Sequence, residues 1–388
     1  MKPAIVQQAE EDFLKRFQQK PQRLFLSPGR INIIGEHVDY NNGYVLPAAI
    51  DKYVCMAVSP SGGQKCILVA SDLNEEYQFD LSDDLVPAEQ MWANYFLGVV
   101  QQLKDRNLPL KGFNIVFSST IPIGAGMSSS AAVECGFAFA VNEIDSLGLT
   151  KKEIALIGQK AEHTFVGVQC GIMDQFASVF GKENHVIRLD CDTLEYDYHK
   201  ADFQQYTLVL FDSKVKHTNL TSGYNDRRNE VHQGLATIKE QFPHVKNFRD
   251  CTIEQIESVR AILGDTVYRR CIFVVKEIQR VLDAVDALEM KDFAKLGMLM
   301  FETHEGLSKE YEVSCDETDY LVECARAFES VIGARMMGGG FGGCTINLVE
   351  KADEESIIAK VTHQYFDRFN IMPETYKVNI SDGTSEYK

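Results

Sequence analysis

The sequence predicts an α+β protein of two domains, an N-terminal one at 1–200 and a C-terminal one at 201–388. Three observations carry that expectation. The chain has 388 residues, more than one ordinary hydrophobic core accommodates. Strand-like and helix-like segments interleave without the regular βαβ beat of a doubly wound sheet. Near 190–205, the strand-like stretch His185 to Asp190 gives way to a new strand, which places the boundary there. At 45% hydrophobic residues with only 10 prolines, the chain can fill its cores and is not a disordered polymer.

The elements follow in order. Leu24 to Leu26, Ile31 to Ile34 and Tyr53 to Val58 read as extended segments around a centre rich in Gly, Pro and Asn. Cys66 to Val69 and Tyr77 to Phe79 continue the strand character. Between Asn94 and Lys104, the spacing of Phe96, Val99, Val100 and Leu103 is helical. Phe113 to Phe117 alternates like a strand and enters a loop, Ser118 to Met127, from which a long apolar helix should run over Ser128 to Asp145. Thr150, with Glu153 three residues on, is the signature of a capping box at the start of another helix. In the second half, Tyr206 to Phe211 reads as a buried strand and Tyr224 to Phe242 as an amphipathic helix. Helices fill 252–328. Strands at Ala334 to Met337 and Cys344 to Val349 flank a glycine-rich turn, and a helix (Asp353 to Phe369) and a strand (Thr375 to Ile380) follow.

Composition excludes several classes of function. The net charge is −17 with no basic run, so nucleic acid and anionic membrane are poor partners. No stretch has the length and apolarity of a membrane span; the most apolar run, Ala131 to Val141, is interrupted by Glu134. The opening Met1-Lys2-Pro3 soon turns acidic and shows no signal peptide, so the expected location is the cytoplasm. The 10 cysteines are scattered from Cys55 to Cys344 without a Cys-x-x-Cys pair, which favours reduced, mostly buried thiols over disulfides or zinc. A polyanion such as ATP would have to be held locally, by backbone N–H groups, a helix N-terminus, one or two cations and a metal.

Three motifs stand out. Ser27 to Gly43 sets Arg30, Glu36, His37 and Asp39 among glycines and asparagines. Carboxylates beside a histidine suit a polyhydroxylated ligand, since each can accept two hydroxyl hydrogen bonds; a solvated polar turn would use the same residues. Pro122 to Ala132 joins a strand to an apolar helix through Gly124, Ala125, Gly126, Met127, Ser128, Ser129 and Ser130. Glycines admit a phosphate to the backbone, and serines cap the helix and present its unpaired N–H groups. No Lys follows the second glycine, so this is not a Walker A loop; a capped buried helix after a tight turn is the plainer alternative. Met337 to Cys344 holds five glycines in six positions, more than a hairpin requires, and suits a loop that must approach a ligand or the second motif without side chains. Asp174 lies at the start of a short helix, where a dipole-favoured carboxylate is common, and Glu162 reads as a surface position.

In this order and spacing the motifs resemble the GHMP kinase superfamily, and within it the galactokinase family. Gly29 to Tyr40, followed by Gly43-Tyr44-Val45-Leu46-Pro47, resembles that family's sugar signature. Gly126 to Ala131 resembles its phosphate loop, with Met127 in place of leucine, and Gly339 to Gly343 its third motif. The resemblance runs from about residue 24 onward. It implies an N-terminal domain with a left-handed βαβ crossover and a ferredoxin-like C-terminal domain, with ATP and galactose in the cleft between them. It implies transfer of the γ-phosphoryl group to the C1 hydroxyl, the first step of galactose metabolism, by a chain that is expected to act as a monomer. Glu36, His37, Val38, Asp39 and Tyr224 would hold the sugar. Asp174 would take or orient the anomeric hydroxyl proton, with Arg30 beside it and the γ-phosphate. Gly124 to Ser130 would cradle ATP, Ser130 and Glu162 would bear on Mg2+, and Ser71 and Trp92 match positions near the nucleotide. Two alternatives stay open: a galactose- and ATP-binding sensor without turnover, and a kinase for N-acetylgalactosamine. The intact Ser130-Ala131 pair and Asp174 favour an enzyme.

Overall fold

The computed structural model describes residues 2–216 and 220–388. In the first half the elements are α1 (Ala4–Phe17), β1 (Arg23–Asn32), β2 (Tyr44–Val45), β3 (Pro47–Pro60), β4 (Lys65–Ala70), β5 (Glu75–Asp80), α2 (Met91–Asp105), β6 (Phe113–Ser119), α3 (Ser129–Asp145), α4 (Lys151–Ala161), α5 (Met173–Phe180), β7 (His185–Asp190) and β8 (Tyr196–Lys200). The second half holds β9 (Tyr206–Lys216), α6 (Leu220–Gln241), α7 (Ile253–Ser258), α8 (Arg260–Glu289), α9 (Phe293–Glu305), α10 (Asp316–Arg326), β10 (Val331–Met336), β11 (Gly342–Glu350), α11 (Glu354–Phe369), β12 (Glu374–Val378) and β13 (Ser385–Glu386).

A six-stranded sheet runs β13-β1-β3-β6-β4-β5, with β4 and β6 parallel and joined through β5 and α2. Period-two alternation assigns its faces. Cys55, Ala57 and Val116 face α1, which offers Val6, Ala9 and Phe13, whereas Val54, Met56, Val58 and Ile115 face the main core. Helix α1 was not expected from the sequence. Its apolar positions are sparse, because it covers only a narrow strip of sheet. A four-stranded antiparallel sheet, β10-β11-β9-β12, forms the frame of the second half. Here Leu208 and Leu210 point into the main core while Val209 and Phe211 pack under α10 and α11. A small sheet, β2-β7-β8, ties the sugar-signature segment to the hairpin before β9.

The expected capping box is formed: the Thr150 N–H donates to Glu153 at 2.8 Å and the Glu153 N–H to the Thr150 hydroxyl at 3.2 Å. The expected strand Thr375 to Ile380 ends at Val378, with Ile380 making a single bridge to Ile50, and a further strand, β13, follows it. The ten cysteines are unpaired and seven are buried. Among the described residues no helix is long and apolar enough to cross a membrane.

Candidate active site

A cleft of about 560 Å³ opens where the loop after β1, the loop before α3, the start of α5, the helix α6 and the β10–β11 turn converge. Of the residues singled out in the sequence, Arg30, Glu36, His37, Asp39, Gly124, Gly126, Met127, Ser128, Ser129, Ser130, Glu162, Asp174 and Tyr224 line it. Val38 and Ala125 are fully buried behind its wall, where they shape the backbone rather than the surface. Ser71 opens a 3-10 turn (Ser71–Leu73) outside the cleft lining, and the Trp92 indole donates to Glu75 at 2.6 Å.

Strand β1 carries Arg30 to the centre of the cleft. Its guanidinium grips Asp174 with two parallel bonds, Nε to Oδ1 and Nη2 to Oδ2, each 2.8 Å. The remaining terminal nitrogen donates to the carbonyl of Gly126, so one side chain ties the loop before α3 to the first turn of α5. Ser128 corrects the reading of the serines as helix caps. It occupies the N-cap position of α3 but makes no capping bond, lies in the left-handed region at φ 56°, and its hydroxyl donates to Asp174 instead. The N–H groups of the first turn of α3 are thereby left without a side-chain cap at the cleft wall.

Glu162 is buried, not on the surface, because α4 continues through a π-turn (Glu162–Val166) that swings it under the loop. Its carboxylate accepts from Gln175 Nε2 at 3.0 Å and from Ser130, and burial, reinforced by the charge of Asp174, pushes it up to about 7. The same Gln175 nitrogen reaches Glu134 at 3.2 Å, whose full burial raises its carboxyl far above the usual range. Among the described residues no group of three or more His, Cys, Asp or Glu side chains gathers as a metal site. One carboxylate and one hydroxyl are what a magnesium ion takes from a protein when nucleotide phosphates and water fill its other positions, and Ser130 with Glu162 fits that requirement.

On the opposite wall, Glu36 is almost wholly buried and one of its oxygens, Oε1, accepts from both terminal nitrogens of Arg335 and from the Gly338 N–H at 2.9 Å. His37 also has a left-handed backbone, φ 60°, a strained state for a non-glycine residue that places its ring on the wall. Burial drives that ring's pKa down to about 3, so it is neutral. Burial raises the Asp39 carboxyl to about 7, with the charge of Asp174 adding to the effect and a hydrogen bond from the Tyr40 N–H opposing it. Gly171 lies directly on that carboxylate: a Cβ there would sit 1.9 Å from Asp39 Oδ2. Tyr224 packs 5.4 Å from the His37 ring.

The glycine-rich turn meets the loop before α3 backbone to backbone, as a Cβ on Gly126 would stand 3.2 Å from the Met337 carbonyl and one on Gly338 would stand 3.3 Å from that of Gly126. Sequence reasoning missed Arg335, Gln175, Glu134 and Gly171. Gln175 adjoins Asp174 and could have been found by proximity; Arg335, three residues before the turn, had no local signal.

Comparison with known proteins places these features in company. Residues 11–60 match the galactokinase galactose-binding signature, 94–182 the GHMP kinases N terminal domain, and 284–367 the GHMP kinases C terminal domain. A galactokinase of Thermotoga maritima is 42% identical over 360 residues, 93% of this chain and 99% of that protein. One of Thermosipho africanus is 40% identical over 362 residues, with the same coverage. The crystal structure of Lactococcus lactis galactokinase complexed with galactose superposes with a TM-score of 0.94 at 30% identity, covering 99% of this chain and all of that one. A mevalonate kinase shares the fold at a TM-score of 0.65 and 22% identity, over 92% of this chain and 99% of that one.

Proposed function

This chain belongs to the galactokinase family of GHMP kinases, ATP-dependent sugar kinases, and from that premise we propose how its cleft moves the γ-phosphoryl group of ATP to the C1 hydroxyl of galactose. The Arg30–Asp174 pair carries the reading, because it stands between the loop before α3 and the sugar-signature wall, where acceptor hydroxyl and phosphate must meet.

Asp174 accepts the proton of the C1 hydroxyl, or orients it, while Arg30 and Ser128 hold both carboxylate oxygens in place. Phosphoryl transfer passes through a loose transition state, so alignment and charge neutralisation supply most of the acceleration. Arg30 lies at the point where negative charge spreads over the transferred group. Gly124 to Ser130 and the uncapped N–H groups of α3 receive the phosphates. Ser130 and Glu162 would hold magnesium, which when bound neutralises the phosphate charge. Glu36, His37, Asp39 and Tyr224 present acceptors and donors to the sugar hydroxyls. Every one of these groups comes from one chain, so a monomer in the cytoplasm, where ATP is at hand, suffices.

A coupled ADP-release assay over galactose, glucose and N-acetylgalactosamine tests the assignment. A site of fitted polar groups rejects an epimer that leaves one of them unpaired by up to ~10⁴-fold. Glucose should therefore be a very poor substrate, and turnover of glucose within about tenfold of galactose would remove the substrate assignment.

A further inference from the structure

Behind the His37 ring, two tyrosine hydroxyls line up. The Tyr311 hydroxyl lies 2.8 Å from that of Tyr40, which lies 2.8 Å from Nδ1 of His37, and all three residues are buried. Tyr311 belongs to the second half, just after α9 and its π-turn (Gly306–Glu310). It is firmly seated: its ring packs 4.7 Å from that of Phe273, and its carbonyl accepts from Arg227 at 2.9 Å.

A neutral imidazole donates at one nitrogen and accepts at the other, so whatever reaches Nδ1 decides what Nε2 can do. The burial and partners of the Tyr311 hydroxyl fix the direction of the chain. Tyr311 is fully buried, and among the described residues the Tyr40 hydroxyl is the one hydrogen-bond partner of its own hydroxyl. A Tyr311 hydroxyl that only accepted there would leave its own hydrogen unpaired in the interior, so it donates to Tyr40, and Tyr40 then turns its hydrogen to Nδ1. With Nδ1 accepting from Tyr40, the single proton of the neutral ring belongs on Nε2. Nε2 is buried, has no hydrogen-bond partner among the described residues, and belongs to a residue of the cleft wall.

We propose that Tyr311, acting through Tyr40, is a positioning residue for the sugar: it holds His37 as the Nε2–H tautomer, so that the ring donates to a hydroxyl oxygen of the substrate. This rests on the sugar-kinase reading of the cleft. It gives the wall a donor facing the same ligand as the acceptors Glu36 and Asp39, and it makes sugar recognition depend on a hydroxyl that touches no sugar.

The test uses full-length protein labelled with ¹⁵N at histidine. Two-bond ¹H–¹⁵N correlations of the unliganded wild type should show His37, identified by its loss in His37→Gln, as the Nε2–H form. Tyr311→Phe keeps the ring and removes only the hydroxyl. It should shift His37 toward a tautomer mixture and raise the KM for galactose about tenfold, while kcat and the KM for ATP stay near wild type. Tyr40→Phe should do the same more strongly, and it decides the matter if Tyr311→Phe does not fold. An Nδ1–H tautomer in the wild type, or unchanged His37 shifts and galactose KM in the variants, overturns the proposal. The spectra need no turnover. Failure of the wild type to phosphorylate galactose would remove the kinase reading and leave the relay to be decided by the shifts.

Discussion

Glu36 and Arg335 meet across the two halves of the molecule, both terminal guanidinium nitrogens at 3.1 Å from one carboxylate oxygen, with side chains 2% and 0% exposed. The guanidinium is saturated, since it also donates to the carbonyls of Asn32, Ile33 and Met336. Among the described residues no hydrogen bond reaches the other carboxylate oxygen, and Glu36 lines the cleft. This pair therefore joins the sugar-signature loop to the strand that leads into the glycine-rich turn.

Removing the cation should strand a buried carboxylate. Arg335→Met is expected to cost about 3–5 kcal/mol, read as a lowered Tm and a lowered denaturation midpoint. Glu36→Gln, which keeps shape and part of the bonding, should cost less stability yet still weaken galactose. Unchanged stability in Arg335→Met would mean the pair is not a clamp.

Asp174→Asn should leave galactose binding largely intact and reduce kcat by at least ~100-fold, the scale for a positioned acid–base group. Calorimetry beside steady-state kinetics separates the two quantities. Near-normal turnover would take Asp174 out of the mechanism.

Gly171→Ala would drive a methyl group into the Asp39 carboxylate. The expected outcome is a rise in galactose KM of about tenfold or more, with the KM for ATP unaffected, because only the sugar wall is displaced. Equal losses for both substrates would show that the glycine serves the fold as a whole.

Asp39 gives a pH signature. Its carboxyl titrates near 7 in the folded protein and near 3.8 when unfolded. The stability brought by the protonated form is complete below the unfolded value and is lost as pH rises through about 7. Asp39→Asn should therefore be more stable than wild type at pH 8, with a Tm gap of roughly 3 °C that narrows toward pH 5.5. A gap that widens on acidification would reverse the assignment.

Gly126→Val should weaken ATP binding. The φ of +71° is unfavourable for a β-branched residue, and the side chain would press on the Met337 carbonyl at 3.2 Å from its Cβ. Galactose binding without nucleotide should persist; its simultaneous loss would show that the contact between the two loops organises the whole cleft.

Much of this was legible where the signal is local. Thr150 and Glu153 announce their capping box because both partners lie within one turn. Asp174 was placed at a helix start, and β10 and β11 flank the glycine-rich turn as their apolar runs suggest. What escaped depends on long-range contact. Arg335 pairs with a residue 299 positions away, and nothing near it in the sequence marks a fully buried arginine. Ser128 looked like a cap by type, yet a carboxylate 46 positions on claims its hydroxyl. Glu162 looked exposed because charged residues usually are; only the π-turn reveals its inward path.

The edge strand β13 has a consequence for how the molecule is made. It pairs Glu386 and Ser385 with Phe25 and Leu26, and just before it Thr384 closes a buried trio of hydroxyls with Ser27 and Ser178, beneath the strand that carries Arg30. The partners Arg23 and Glu386 are 363 positions apart. On the ribosome, β1 must wait with an open edge while nearly all the intervening chain is synthesised, a ready template for pairing with a neighbouring nascent chain. The cleft of a newly made molecule can take its final form only when the residues around Thr384 return, so biogenesis, unlike the chemistry, runs through the far end of the sequence.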